Sequence, residues 1–154
     1  MSVVSIFATE KKQFEHEDID PDHSRIIFTL DDINIENVNG MDHIRTSSTA
    51  STVDPGRPEL PVYTFLYQID PDKDYSVTYT VQQSQIQEKV NLYPRQFREI
   101  SESPQSLPFV MDTQFYANSD IYPAEQLKVS EPMVMRDVTL ISIEFIPFSY
   151  NPSE

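Results

Sequence analysis

The sequence predicts an all-β domain, an antiparallel β-sandwich or open barrel with long loops. Three observations carry this reading. Short runs of β-branched and aromatic residues alternate apolar with polar positions, turns rich in Pro, Asp and Asn separate those runs, and no segment sustains a helical period.

Taken in order, residues 1–23 read as a lead-in with room for a first strand, because the charges around His16 suit an exposed segment that ends at Pro21. Residues 24–30 read as a strand. Residues 33–38 alternate as a half-buried strand does, and Asp31-Asp32 is expected to join the two. From 46 to 58 the composition shifts to Ser, Thr, Pro and Gly, too polar to pack, which predicts a loop.

Residues 62–69 and 75–81 are the clearest strand candidates, since β-branched and aromatic side chains fit a pleated surface. In the second, Tyr75, Val77, Tyr79 and Val81 share one face. The turn at 70–74 follows from Pro71, which fixes φ, and from aspartates that bond nearby amides. A further strand is expected over 86–93. Residues 94–108 hold two arginines and three prolines without apolar periodicity, and predict an exposed loop that interrupts the sheet. Shorter strands are expected at 109–116 and 125–129. The last is long, 133–146, with Ile141, Ile143 and Phe145 on one face and Ser142 and Glu144 on the other. No repeat and no linker divides residues 24–154, which read as one domain of ordinary size.

Composition excludes several functions. A net charge of −14 repels phosphate backbones and anionic lipid, so nucleic acid is not an expected partner. No apolar run approaches the ~20 residues that span a bilayer, so membrane insertion is not expected. The first residues also lack the basic and apolar regions of a signal peptide. With no cysteine the chain has neither disulfides nor a thiolate nucleophile, and cannot itself be a cysteine protease. Two glycines against twelve prolines leave no glycine-rich phosphate loop, and pass positive-φ turns to Asn and Asp.

Other polar groups read as scaffold. Asp70, Asp72 and Asp74 alternate like the first ligands of a calcium loop, but the required Gly and distant Glu are missing, so a turn is the reading. His16, His23 and His43 are scattered, whereas zinc needs three or four converging ligands. Asp31-Asp32 reads as turn or surface charge rather than an acid/base pair. No cofactor, metal or catalytic residue is expected.

Two stretches resemble the propeptide of the gingipain family of cysteine proteases. The first is Gly56-Arg-Pro-Glu-Leu-Pro-Val62, similar to a segment that enters a central strand in that family. The second runs through Tyr122-Pro-Ala-Glu125 and Pro132-Met-Val-Met-Arg-Asp-Val138, and ends at Ile146-Pro-Phe-Ser-Tyr-Asn-Pro152. With the strands between them they cover about residues 24–152. The resemblance implies a secreted or cell-surface bacterial pro-domain that packs on a caspase-like cysteine protease catalytic domain, in cis or in trans. It would hold that domain latent and assist its folding.

In the best-known members a loop arginine enters the substrate pocket, and residues 94–108 resemble that loop. They supply Arg95, Arg98, Glu99, Ile100 and Ser101 as inhibitory candidates. Alignment on the flanking prolines puts the blocking position nearer Ile100 or Ser101 than Arg98, and both alternatives stay open. Arg136 and Asp137 are interface candidates, with a local ion pair as the structural alternative. The resemblance further implies native chain before Met1, and a C-terminal strand and protease after Glu154. Two readings from other classes compete: an adhesive or carbohydrate-binding sandwich, with a ligand at its loop ends, and a small hydrolase using carboxylates.

Overall fold

The computed structural model describes residues 13–30, 32–97 and 107–153. The chain forms two compact units, one ending at Asp32 and one beginning at Ile33.

The first unit is an antiparallel hairpin of β1 (Phe14–Asp20) and β2 (His23–Phe28), with Phe14 opposite Phe28. Their rings lie 5.0 Å apart in a tilted contact. Asp20 shapes the turn by accepting from the Asp22 amide at 2.8 Å and from the His23 ring at 2.8 Å. Those bonds, the Asp22 amide first, hold its carboxyl below its ordinary pKa. β2 pairs with β1, and residues 33–38 pair elsewhere.

In the second unit β3 (Asn34–Val38) pairs with β4 (Met41–Arg45). Asn39 and Gly40 connect them at φ 53° and 82°, the left-handed geometry of a two-residue hairpin whose twist suits the strands. The expected pairing across Asp31-Asp32 is corrected: Asn39-Gly40 is the stronger turn signal.

The main sheet runs β5 (Ala50–Ser51), β6 (Pro61–Ile69), β9 (Val138–Phe145) and β7 (Leu127–Val129), with β8 (Met133–Met135) also on β9. β6 and β9 pair antiparallel from Tyr63↔Phe145 to Ile69↔Thr139, which sets Phe65 opposite Ile143 and Tyr67 opposite Ile141. β7 and β8 share the far edge of β9. Ser130 stands between them, and its amide donates to the Ser142 carbonyl while its hydroxyl accepts the Ser142 amide, each at 2.9 Å. Among the described residues no sheet closes into a barrel. The protein is mainly β, as expected.

Five segments differ from expectation, and in the first, residues 46–58, β5 pairs with β6 while Thr52 and Pro58 are buried. Residues 75–81 form no strand and pair with none of the sheet's strands. Their aromatic side chains instead reach the sheet, Tyr79 packing on Phe145 at 5.7 Å and bonding Gln126 at 3.2 Å. Over 86–93 only Leu92 makes a bridge, parallel to Asp42. Within 109–116 a short helix, α1 (Thr113–Ala117), replaces a strand, with Asp112 capping the Phe115 amide at 3.0 Å. The long strand at 133–146 is a hairpin, turned by Arg136 and Asp137 at φ 48° and 67°.

The core gathers Leu60, Val62, Leu92, Phe115, Ile146 and Tyr150. Both family-like stretches contribute to it. Tyr150 and Tyr122 exchange backbone bonds at 2.9 and 2.8 Å, which closes the C-terminal segment onto Tyr122-Pro123.

Candidate functional site

The two ends of the expected loop, at Arg95–Phe97 and Leu107–Asp112, meet at a neck built on a single turn. Gly56 turns at φ 82°, and a Cβ there would lie 3.0 Å from the Asp112 amide nitrogen, so this position requires glycine. Its amide donates to the Arg95 carbonyl at 2.8 Å and its carbonyl accepts from Asp112 at 3.0 Å. One residue thereby holds the limb entering the loop and the limb leaving it.

The entering limb is laddered further. Glu59 donates to Tyr93 at 2.9 Å and Arg95 donates to Arg57 at 2.7 Å, around the bridge of Pro58 with Pro94. In this register the two prolines occupy the pair whose N–H groups the ladder does not use, so they fit without a lost bond. On the other side, Asp42 receives the Tyr93 amide and donates to Asn91, both at 2.7 Å.

Gln96 closes the neck. Its amide nitrogen donates to the carbonyls of Pro94 and Val110, at 2.9 and 2.8 Å, and its oxygen accepts the Val110 amide at 2.8 Å. One side chain thus does what a paired strand would do. Gln96→Ala is expected to lower the unfolding free energy by about 1–2 kcal/mol. It should also speed amide exchange at Val110, read by hydrogen exchange.

Beneath the entering limb lies a polar cluster. Arg95 bonds Glu59 through Nη1, with the Ser51 hydroxyl at 3.0 Å, and His43 Nε2 lies 3.5 Å from the second Glu59 oxygen. The side chains of Arg95 and Glu59 are only 14 and 15% exposed. Burial pushes the His43 imidazole below its ordinary pKa, with Glu59 opposing. Tyr93 stacks on His43 at 5.7 Å and meets Phe109 edge-on at 5.9 Å. Under the leaving limb, Arg57 pairs with Asp112 at 3.1 Å and lies over the Phe115 ring at 4.7 Å.

The expected residues therefore separate. Arg95 faces inward and anchors the loop, whereas Arg98, Glu99, Ile100 and Ser101 lie outside the described residues. Arg136 and Asp137 form the tip of the β8–β9 turn, where neither takes part in an ion pair among the described residues. Glu59 and Gln96 were not expected at the site. Glu59 lies within the first family-like stretch, but nothing local marks it as the partner of Arg95. Among the described residues no group of His, Asp and Glu could hold a metal ion, and Asp70 serves its turn by accepting the Asp72 amide at 3.0 Å.

A family model described as Propeptide_C25 matches residues 5–154. The fold is similar to that of a chain in the solved complex of Porphyromonas gingivalis RgpB pro- and mature domains. That likeness has a TM-score of 0.76 and 22% identity, and covers 92% of this chain and 76% of that one. A structure bearing on the zymogenic latency of gingipain K, from the same organism, is similar with a TM-score of 0.67 and 18% identity. It covers 95% of this chain and 86% of that one. At these identities the structural likeness speaks to the fold. No curated protein matches the chain.

Proposed function

The chain belongs to the Propeptide_C25 family, the non-catalytic pro-domains of gingipain-type cysteine proteases, and we propose that it confers latency by presenting the segment between Gln96 and Val110 to the cleft of a caspase-like catalytic domain. The observation that carries this reading is the neck. A substrate-like segment gains the contacts a substrate gains, and fastening both limbs to Gly56 removes part of the ordering cost a free peptide bears. A covalent link to the protease would add an effective concentration on the order of millimolar for a short connection.

Arg95 is the root of this device and not its tip, since its guanidinium is engaged by Glu59. The blocking position then falls to Arg98 for a protease that cleaves after arginine, and to Ile100 or Ser101, beside Glu99, for a pocket of another shape. Arg136 and Asp137 remain candidates for a second contact with the same domain. A protease of this class acts outside the cell or at its surface, and the pro-domain would travel with it.

The test adds the purified chain to its cognate mature protease and follows peptide hydrolysis. Inhibition is expected at or below micromolar concentration, and Arg98→Ala or Ile100→Ala is expected to weaken it at least tenfold, whichever is the blocking residue. No inhibition by the parent chain removes the proposal, and parent-like inhibition by both variants rules out Arg98 and Ile100 as the tip.

A further inference from the structure

We infer that Phe97, Leu107 and Phe109 form an apolar collar around the root of the loop that docks on the rim of the protease cleft, a contact separate from whatever fills the substrate pocket. This rests on the latency reading above. All three are large apolar side chains in the open, 56, 46 and 55% exposed. Isolated exposed apolar residues are ordinary, whereas a cluster of them marks an interaction surface.

The clamp brings Phe97 and Phe109 to one place, and Leu107 lies two residues before Phe109 on the leaving limb. Gln96 bonds both backbone groups of Val110, so Phe97 and Phe109 each stand one residue beyond the same closure, on opposite limbs. Phe109 is further steadied by Tyr93, itself stacked on the buried His43, which gives the exposed ring a rigid backing. A side chain held in place before binding loses less entropy on docking, and aromatic anchors of this kind carry much of the energy at protein interfaces.

Charge points to the same occupant. In a chain with 25 acidic and 11 basic residues, the stretches 93–97 and 107–111 contain one charged side chain, Arg95, and Glu59 neutralises it. Within these two stretches the collar thus carries no net charge, on a strongly anionic protein. It suits the apolar wall beside a peptide-binding cleft, and continuity with the loop places that wall at the cleft the loop enters. A contact there would also seal the pocket from water and orient the loop on approach.

The test compares the parent chain with the double variant Phe97→Ser/Leu107→Ser as inhibitors of the cognate mature protease, with Tm and sedimentation mass measured in parallel. Phe109 is left intact because Tyr93 packs against it. The collar is expected to account for roughly a 30-fold rise in Ki, about 2 kcal/mol, with Tm unchanged. A double variant that inhibits within threefold of an inhibitory parent overturns the collar alone. So does a variant that changes only from dimer to monomer, which would assign the patch to a second copy of this chain. A parent chain that neither binds nor inhibits overturns the collar and the latency reading together.

Discussion

Glu59→Ala is expected to lower the unfolding free energy by about 3–5 kcal/mol, because it strands the Arg95 guanidinium in a largely buried site. The loss is larger than for an exposed pair, since neither charge is well solvated and the Ser51 hydroxyl loses its acceptor too. Glu59→Gln keeps a hydrogen-bonding group of the same shape and is expected to lose less. Glu59→Leu combined with Arg95→Met should recover most of the deficit, because removing both charges leaves none uncompensated. Chemical denaturation of the four proteins reads these differences directly. If Glu59→Ala costs under 1 kcal/mol, the cluster is not what anchors the loop.

The second expectation is a stability window bounded on both sides by titrating groups. Burial raises the pKa of three tyrosines around the core: Tyr122 to about 12, with a further contribution from its bond to Asp54, and Tyr116 and Tyr150 upward as well. Each hydroxyl is spent internally, Tyr116 on the Leu92 carbonyl at 2.7 Å, Tyr150 on Val90 at 3.2 Å and Tyr122 on Asp54 at 2.9 Å. A folded-state pKa above the unfolded value contributes stability that is complete below about pH 10. That stability is lost as pH rises through the folded value.

On the acid side His43 is the opposite case. Its folded pKa is depressed, so the unfolded chain binds the proton more readily, and stability falls as pH drops below about 6.5. Denaturation midpoints measured from pH 5 to 12 should form a plateau between these edges. Ionisation of Tyr116, Tyr122 and Tyr150 near pH 10 while the fold persists, followed at each ring by NMR, would contradict this account.

How much of this could be read from the amino-acid order depended on whether a pattern reports burial or pairing. The alternation over 62–69 and 141–145 led to β6 and β9 because those side chains face each other, Phe65 against Ile143 and Tyr67 against Ile141. Residues 75–81 show the same alternation without becoming a strand. Tyr79 uses it to cover Phe145, while the backbone joins no ladder. Alternation states which side chains seek apolar company, not which amides have partners.

Turns were equally uneven. Asn39-Gly40 carries its signal openly, but Arg136-Asp137 adopts the same left-handed backbone with residue types that do not advertise it. At the loop, the arginines and prolines marked the segment, while its fastening was hidden. Glu59 lies 36 residues before Arg95, and no local rule singles out a glutamine whose side-chain amide substitutes for a strand.

The placement of Gly56 bears on what proteolysis can achieve. β6 precedes the loop and β9 follows it, the two lie side by side from Tyr63 to Ile69, and the chain at both ends of the segment is tied to that one glycine. Scission between Gln96 and Val110 would change covalent connectivity without parting the pieces, leaving a two-chain particle held by its sheet. Cutting the segment and discharging the inhibitor are then distinct events, and the second requires the body itself to be dismantled.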